Sequence, residues 1–381
     1  MTILESLDVK VLSREGEVLT VAVPPYRVDV QREADLIEDV LRVYGYNNIE
    51  ISDHVNSTLS YAPKPDKARL QNVASDFLTS NGYTEIMSNS LTKASYYEGS
   101  TSYPAERCVK ILNPLSQDLN VMRQTLLFNA LEAVALNINH RTLDLRLFEM
   151  GNCYRFHPEV EQGENPLARY SESYRIGIAV TGQDATPSWN VKAAKSSFYT
   201  LRSTVEKLLR RFGIDIYTLR SESSQSDLYS DTSAYTQGPK TVVEMGIISP
   251  AVLAKFDIKK AVYYAEIDFD LIVRAAKKQR ITVEELSKFP EVKRDLALVV
   301  DKNISFDKLR SIAFATERKL LKRVSLFDVY EGGKLPEGKK CYALSFILED
   351  KTQTLNDKII DNVMSKLIAS FEKQAGATIR A

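Results

Sequence analysis

Asp29, Asp35, Glu38 and Asp39 stand close together near the start of the chain, within Arg27-Val-Asp-Val-Gln-Arg-Glu-Ala-Asp-Leu-Ile-Glu-Asp. Asp35, Glu38 and Asp39 fall at i, i+3 and i+4, which puts them on one face of a helix. Asp29 lies just upstream, where the chain can fold back beside that face. Four oxygen ligands without histidine or cysteine suit a hard cation, Mg2+ or Ca2+. Acidic residues also favour the first turns of a helix because of its macrodipole, so spacing alone leaves both readings open. Like charges at i, i+4 cost a few tenths of a kcal/mol, which favours a compensating cation or an arginine.

Other chemistry is sparse. The three histidines, His54, His140 and His157, are scattered, so a zinc site or a histidine triad has little support. His140 closes an amphipathic helix and His157 follows a strand among acidic neighbours, both positions for surface residues. Cys108, Cys153 and Cys341 have no C-x-x-C spacing, and the last two sit in apolar strands as small core residues. Neither G-x-x-x-x-G-K-[ST] nor G-x-G-x-x-G occurs, so both phosphate-cradling loops are absent. The chain does not read as a self-sufficient catalyst.

The elements that must position the carboxylates are short. Ile3–Leu7 is one apolar turn. Val9–Leu12 and Val18–Val23 read as strands around Arg14-Glu15-Gly16-Glu17, and Pro24-Pro25 ends the second. Asp35–Tyr44 carries Leu36, Ile37, Val40, Leu41 and Tyr44 at helical spacing, with Gly45 as its C-cap. This partial module, residues 1–50, reads as the tail of something larger, and the chain as a truncation. A polar linker, Ser52–Asp66, leads to a second region, residues 65–280. Its expected helices are Lys67–Asn81, Gln124–His140 and Ser196–Phe212. Its expected strands are Glu85–Leu91, Cys108–Leu112, Leu145–Arg155, Tyr174–Thr181, Val242–Ile248 and Tyr263–Phe269. Strands outnumber helices without strict alternation, which predicts an α+β domain with a mixed or antiparallel sheet. Residues 288–381 form a third region. Strands Arg294–Asp301, Ser325–Tyr330, Cys341–Leu348 and Ala377–Arg380 alternate with helices Phe306–Leu320 and Asp357–Phe371, and a Gly-rich hairpin, Glu331–Lys339, joins the middle two strands. That order is the ferredoxin-like βαββαβ arrangement.

Length and composition set the outer limits. The chain has 381 residues, 44% hydrophobic and 26% charged, with 50 basic and 50 acidic side chains. That composition excludes intrinsic disorder, a collagen repeat and a small disulfide scaffold, and three cysteines in this length point to a reducing compartment. No apolar run approaches the ~20 residues of a membrane helix, and the N-terminus lacks the pattern of a secretory signal. The net charge of zero hides an asymmetry. Lys288–Ala381 holds 18 basic and 13 acidic residues against 32 and 37 in the remainder. A basic terminal region suits a phosphate backbone. Its candidates are Lys293 and Arg294 at a strand start, and Arg318, Lys319, Lys322 and Arg323 around a helix end. Phe289, Phe327, Tyr330 and Tyr342 are aromatic groups able to stack on bases, although strand alternation places Phe327 and Phe346 in the core.

Stretches in three successive regions of the chain carry a family resemblance. Positions 23–46, Val-Pro-Pro-Tyr-Arg-Val-Asp-Val-Gln-Arg-Glu-Ala-Asp-Leu-Ile-Glu-Asp-Val-Leu-Arg-Val-Tyr-Gly-Tyr, closely resemble a module of the bacterial phenylalanine–tRNA ligase beta subunit. Ile111-Leu-Asn-Pro-Leu-Ser, Val121-Met-Arg-Gln-Thr-Leu-Leu and Leu147-Phe-Glu-Met-Gly-Asn-Cys-Tyr-Arg resemble its catalytic-like domain. Lys288-Phe-Pro-Glu-Val-Lys-Arg-Asp-Leu, Leu326-Phe-Asp-Val-Tyr-Glu-Gly and Gly376-Ala-Thr-Ile-Arg resemble its ferredoxin-like anticodon-binding domain.

The resemblance implies that Asp29, Asp35, Glu38 and Asp39 bind Mg2+, with Asp39 where the family more usually has glutamate. It implies a partial winged-helix-like module, then a class II synthetase fold with a six- or seven-stranded antiparallel sheet, then the anticodon-binding domain. Pro114 and Arg155 fall where that fold's first and second motifs would be. The third motif is missing; Tyr217-Thr-Leu-Arg ends in Arg220 but lacks its glycines. The expectation is therefore an inactive domain that packs on a catalytic alpha subunit, which uses ATP to charge tRNA(Phe) in a cytoplasmic α2β2 assembly without membrane contact. The family's N-terminal tRNA-binding and editing modules precede the matched region. A free-standing nucleic-acid-binding protein is the competing expectation.

Overall fold

A computed structural model describes residues 1–61, 65–161, 163–185, 187–277, 282–283, 285–333 and 335–380. Pro63 of the expected linker, residues 278–280 of the expected middle region, Lys334 of the expected hairpin and the terminal Ala381 lie outside the described residues. Internal contacts divide the chain into two units, Met1–Pro63 and Lys64–Ala381.

The first unit holds helix α1 (Thr2–Ser6), the antiparallel hairpin β1 (Lys10–Glu15) and β2 (Val18–Ala22), and helix α2 (Glu33–Tyr44). Helix α2 begins two residues before the expected Asp35. The Asp35 carboxylate reaches back to accept hydrogen bonds from the backbone N–H of Arg32 at 2.8 Å and Gln31 at 3.0 Å, closing a capping box. Gly45 ends the helix at φ 94°, a conformation that favours glycine. The core is thin: Leu4 and Val9 are buried, while Ile37, Val43 and Tyr44 of α2 stay exposed.

In the second unit, α3 (Lys67–Ser80) leads into β3 (Thr84–Glu85). A small three-stranded sheet follows, of β4 (Leu91–Thr92), β5 (Val109–Lys110) and β6 (Val121–Met122). Next come α4 (Leu127–Asn139), β7 (Leu145–Phe156), β8 (Tyr170–Thr181), a minor hairpin of β9 (Gln183–Ala185) and β10 (Ala194–Lys195), and α5 (Phe198–Arg211). The region closes with β11 (Arg220–Glu222), β12 (Tyr229–Gln237), β13 (Lys240–Ile248), α6 (Pro250–Ala254), β14 (Val262–Asp268) and α7 (Phe269–Lys277).

These strands build a seven-stranded sheet in the order β11-β12-β13-β14-β8-β7-β3. Every neighbour pair is antiparallel except β3 with β7. Side chains alternate between its two faces. Ile176, Ile178 and Val180 of β8 pack with α3, α5 and α7, and Ala179 packs on the opposite side with α4 and α6.

Several elements differ from expectation. Glu85–Leu91 is not one strand; its ends enter two separate sheets as β3 and β4. The helix expected from Gln124 starts at Leu127, because Thr125 Oγ1 and the backbone N–H of Leu126 donate to the Glu266 carboxylate, at 2.6 and 3.0 Å, and are held out of the helical turn. Strand β12, with its polar Ser-Asp-Thr-Ser-Ala-Tyr-Thr-Gln, carries no apolar alternation strong enough to announce it.

The last elements are β15 (Val292–Asp301), α8 (Phe306–Thr316), β16 (Leu321–Tyr330), β17 (Lys339–Leu348), α9 (Asp357–Ala375) and β18 (Thr378–Ile379). Their antiparallel sheet runs β16-β17-β15-β18, so the third strand lies between the first and second, as the split βαβ arrangement requires. Helix α8 stops at Thr316, four residues early, whereas α9 runs on to Ala375 and is capped by Gly376 in the left-handed region at φ 58°. Phe346 is fully buried between sheet and helices, but Phe327 is 59% exposed. A bulge between Leu326 and Asp328 breaks the alternation and turns Phe327 outward, overturning the expected core role.

Candidate functional site

The acidic cluster is organised by an arginine. Arg27 Nη2 lies 3.1 Å from Asp29 Oδ2 and 2.5 Å from Asp39 Oδ2, and Arg42 Nη2 approaches Asp39 Oδ1 at 3.2 Å. The Arg27 hydrogen bond holds the Asp29 carboxyl below its usual range, and the backbone N–H donors of Gln31 and Arg32 do the same for Asp35. Glu38 is exposed and makes no ion pair among the described residues. Arg27 thus draws Asp29 and Asp39 together, while Asp35 is committed to capping and Glu38 is left apart. Among the described residues no three His, Cys, Asp or Glu side chains converge as a metal group. The donor set suits a hard cation in type; in placement, the guanidinium takes the position between two of its carboxylates. Arg27 was legible in the sequence, two residues before Asp29, as the compensating arginine that stacked carboxylates call for.

The sheet face under α4 carries a second polar cluster. Glu266 on β14 accepts hydrogen bonds from Thr125 Oγ1 (2.6 Å), Leu126 N (3.0 Å), Tyr264 Oη (2.9 Å), Arg175 Nη1 (2.8 Å) and Tyr103 Oη (3.3 Å). Burial raises the Tyr103, Tyr229 and Tyr264 phenols well above their ordinary range, keeping them neutral. These three tyrosines fill the face. Gly177 makes room for Tyr264, since a Cβ there would lie 2.6 Å from its hydroxyl. Nearby, Arg123 Nη1 and Glu149 Oε1 form a buried ion pair at 2.6 Å. Arg155 on β7 stands over the Tyr103 ring at 5.8 Å, without a carboxylate partner among the described residues, and burial lowers its pKa. Arg220 is on β11, at the other side of the sheet, with β8, β14, β13 and β12 between it and β7. At ~4.8 Å per strand that is roughly 24 Å, too far for the two arginines to clamp one small substrate. Arg123 and Glu149 fall within stretches that carry the family resemblance, whereas Glu266 falls in none, and no spacing rule joins any of the three to its partners from distant parts of the chain.

The six basic candidates of the terminal module separate into different environments. Lys293 and Arg323 share a register row across Ile347, so they stand on the same sheet face about 10 Å apart. Lys293 pairs with Asp295 at 3.5 Å, and Arg294 reaches Asp357 at 3.6 Å. Arg318 and Lys319 lie in the turn after α8 and are free of ion pairs among the described residues. Lys322 differs: its ammonium sits 2.6 Å from Glu291 and 2.5 Å from Glu349, which neutralise it. Arg323 lines a cleft of about 420 Å3 with Asp215, Tyr217 and Arg310, where the Arg310 guanidinium lies 3.5 Å from the Tyr217 ring centroid.

An antiparallel sheet with a parallel edge strand, followed by a split βαβ module, defines a synthetase-type body joined to a ferredoxin-like domain. Residues 54–269 match the family described as the phenylalanyl tRNA synthetase beta chain CLM domain, residues 287–380 the ferredoxin-fold anticodon binding domain, and residues 1–46 the tRNA synthetase B5 domain. The chain belongs to the phenylalanyl-tRNA synthetase beta chain family. It is 47% identical over 381 residues to a phenylalanine–tRNA ligase beta subunit of Bacteroides fragilis, covering 100% of this chain and 46% of that protein. The beta subunit of Porphyromonas gingivalis is 42% identical with the same coverage, and that of Chlorobium chlorochromatii 33% identical over 99% of this chain and 47% of its own length. The chain therefore spans about half the length of the curated relatives it matches. Among solved structures, a pyrrolysyl tRNA synthetase of Desulfitobacterium hafniense aligns over 55% of this chain and 68% of its own at 16% identity, with a TM-score of 0.41.

Proposed function

We propose that this chain supplies the beta-subunit part of a phenylalanine–tRNA ligase, without catalytic residues of its own. Activation of phenylalanine with ATP and its transfer to tRNA(Phe) take place on a separate alpha subunit, in a cytoplasmic α2β2 assembly. The observation that carries this reading is the plugged sheet face. Tyr103, Tyr229, Tyr264 and the Glu266 hub occupy the volume above the central strands, and Arg155 and Arg220 stand on opposite sides of the sheet. Met87, Leu112 and Leu115 are each more than nine-tenths exposed, a display of apolar surface that suits a subunit contact. The reading divides the chain at residues 1–50, 65–280 and 288–381, with the last part contacting the anticodon region through Lys293, Arg294, Arg318, Lys319 and Arg323; Lys322 contributes less because two glutamates hold it.

Mg2+ at Asp29, Asp35, Glu38 and Asp39 belongs to the same proposal. Binding there requires Arg27 to release Asp29 and Asp39, so the ion and the guanidinium compete for one position.

The test combines the purified chain with a phenylalanine–tRNA ligase alpha subunit. A stable complex by native mass measurement, with ATP–pyrophosphate exchange only when the alpha subunit is present, is the expected result. Exchange by the lone chain, or RNA binding with no alpha-subunit complex, overturns the reading.

A further inference from the structure

The synthetase-like body and the terminal module keep separate apolar cores. Among the described residues, the buried clusters of the body lie within positions 74–272 and that of the module within 298–377. Between them, Arg310 of α8 lays its guanidinium over the Tyr217 ring, 3.5 Å from the centroid, with the Phe314 ring at 5.8 Å. Two clefts adjoin this stack, of about 420 and 760 Å3, and each is lined from both parts. The two parts therefore touch here without merging their cores.

Both partners of the stack are rooted. Tyr217 lies in the single turn Ile216–Thr218, which Asp215 caps by accepting the Tyr217 backbone N–H at 3.0 Å. Ile216 beside it is buried in the core of the body. Arg310 follows Leu309, which is buried in the core of the module, and Asp307 on the same helix stands 3.6 Å from the guanidinium. Each partner is thus one residue from a core anchor, so the stack carries position from one core to the other. The Arg310 side chain is only 15% exposed, and its Nε has no hydrogen-bond partner among the described residues. Exclusion of water strengthens the attraction between a cation and a ring face, and this guanidinium is largely dry.

We propose that the Arg310–Tyr217 stack is a positioning contact that sets the angle of the terminal module on the body. Its use rests on the beta-subunit reading. An alpha subunit docked on the body and the terminal module must reach one tRNA together, and the effective concentration of the second contact falls when the module is free to swing.

Two readouts test this. Spin labels on Gln237→Cys and Lys373→Cys, both exposed positions, report the distance between the two parts, since the three native cysteines are buried. The full chain is expected to give one narrow distance distribution. Tyr217→Ala, at a half-exposed side chain, should widen it without lowering the melting temperature, and Tyr217→Phe, which keeps the ring face, should leave it narrow. In the complex with a phenylalanine–tRNA ligase alpha subunit, Tyr217→Ala should raise the KM for tRNA several-fold and leave ATP–pyrophosphate exchange unchanged, with Tyr217→Phe restoring the KM. A distribution that Tyr217→Ala does not widen overturns the proposal, and so does a widened distribution with an unaltered KM. Failure to form the complex counts against the beta-subunit reading instead, and the distance distribution then decides the contact by itself.

Discussion

Arg123 Nη1 lies 2.6 Å from Glu149 Oε1, with both side chains more than 95% buried. Arg123 Nε also donates to the Asn152 carbonyl at 2.9 Å, and Glu149 Oε1 accepts from the Ser88 backbone at 3.2 Å. The pair therefore ties three separate segments of the synthetase-like body together. Gly151, on β7 between Glu149 and Asn152, admits the guanidinium: any Cβ there would fall on Arg123 Nη2.

Removing one partner leaves a buried charge uncompensated, which costs about 3–5 kcal/mol. Arg123→Leu is expected to show that loss in urea denaturation. Gly151→Ala should cost a comparable amount by displacing the same guanidinium, and combining both changes should cost much less than their sum, because they break one interaction. Additive losses would show that Gly151 serves something else.

Arg27→Gln is expected to strengthen Mg2+ binding to the amino-terminal module severalfold, because it removes the cation that competes for Asp29 and Asp39. Asp39→Asn should remove binding in either background. Magnesium titration followed by calorimetry checks both. Unchanged affinity in Arg27→Gln would mean that the ion and the guanidinium do not share the position.

Acid stability should contain opposite contributions from two carboxylates. Burial works against ionisation of Asp227, but hydrogen bonds from Ser102, Ser100 and Thr101 outweigh it and hold its pKa at about 2. A depressed carboxylate stabilises the fold above its unfolded pKa of about 3.9, and that stability is lost as pH falls toward 2. Asp227→Asn should flatten the acid limb of the denaturation midpoint over that range. Glu244 is raised, chiefly by burial, so its contribution is present at low pH and is lost as pH rises through the folded value. Glu244→Gln, which can still accept from Ser224, should therefore raise the melting temperature at neutral pH and leave it unaltered in acid.

Charge reversal of Arg318 and Lys319 is expected to weaken tRNA binding and to lower the salt slope by about one for each phosphate no longer neutralised. Lys322→Glu should instead lower the stability of the terminal module, since it sets a third carboxylate against Glu291 and Glu349. Filter binding across a salt series, alongside thermal melts, separates the two effects. A salt slope unmoved by Arg318 and Lys319 reversal would remove that turn from the RNA surface.

Local pattern alone made much of this protein readable. Leu36, Ile37, Val40, Leu41 and Tyr44 announce α2, and Gly45 announces its end, because helical periodicity and a left-handed cap act within a few residues. The ferredoxin-like order of the last six elements was legible for the same reason, and the basic surplus of that region needed nothing beyond counting. Tertiary structure decided what depends on distant partners. Glu266 collects donors from residues 103, 125, 126, 175 and 264, and no spacing rule joins positions that far apart. The same holds for the commitment of Lys322 to two glutamates and for the bulge that turns Phe327 outward. For the acidic motif, sequence chose the residues, but through-space placement put Arg27 between them. An ion pair forms where three-dimensional distance is short, and sequence spacing constrains that distance only within a single helix or strand.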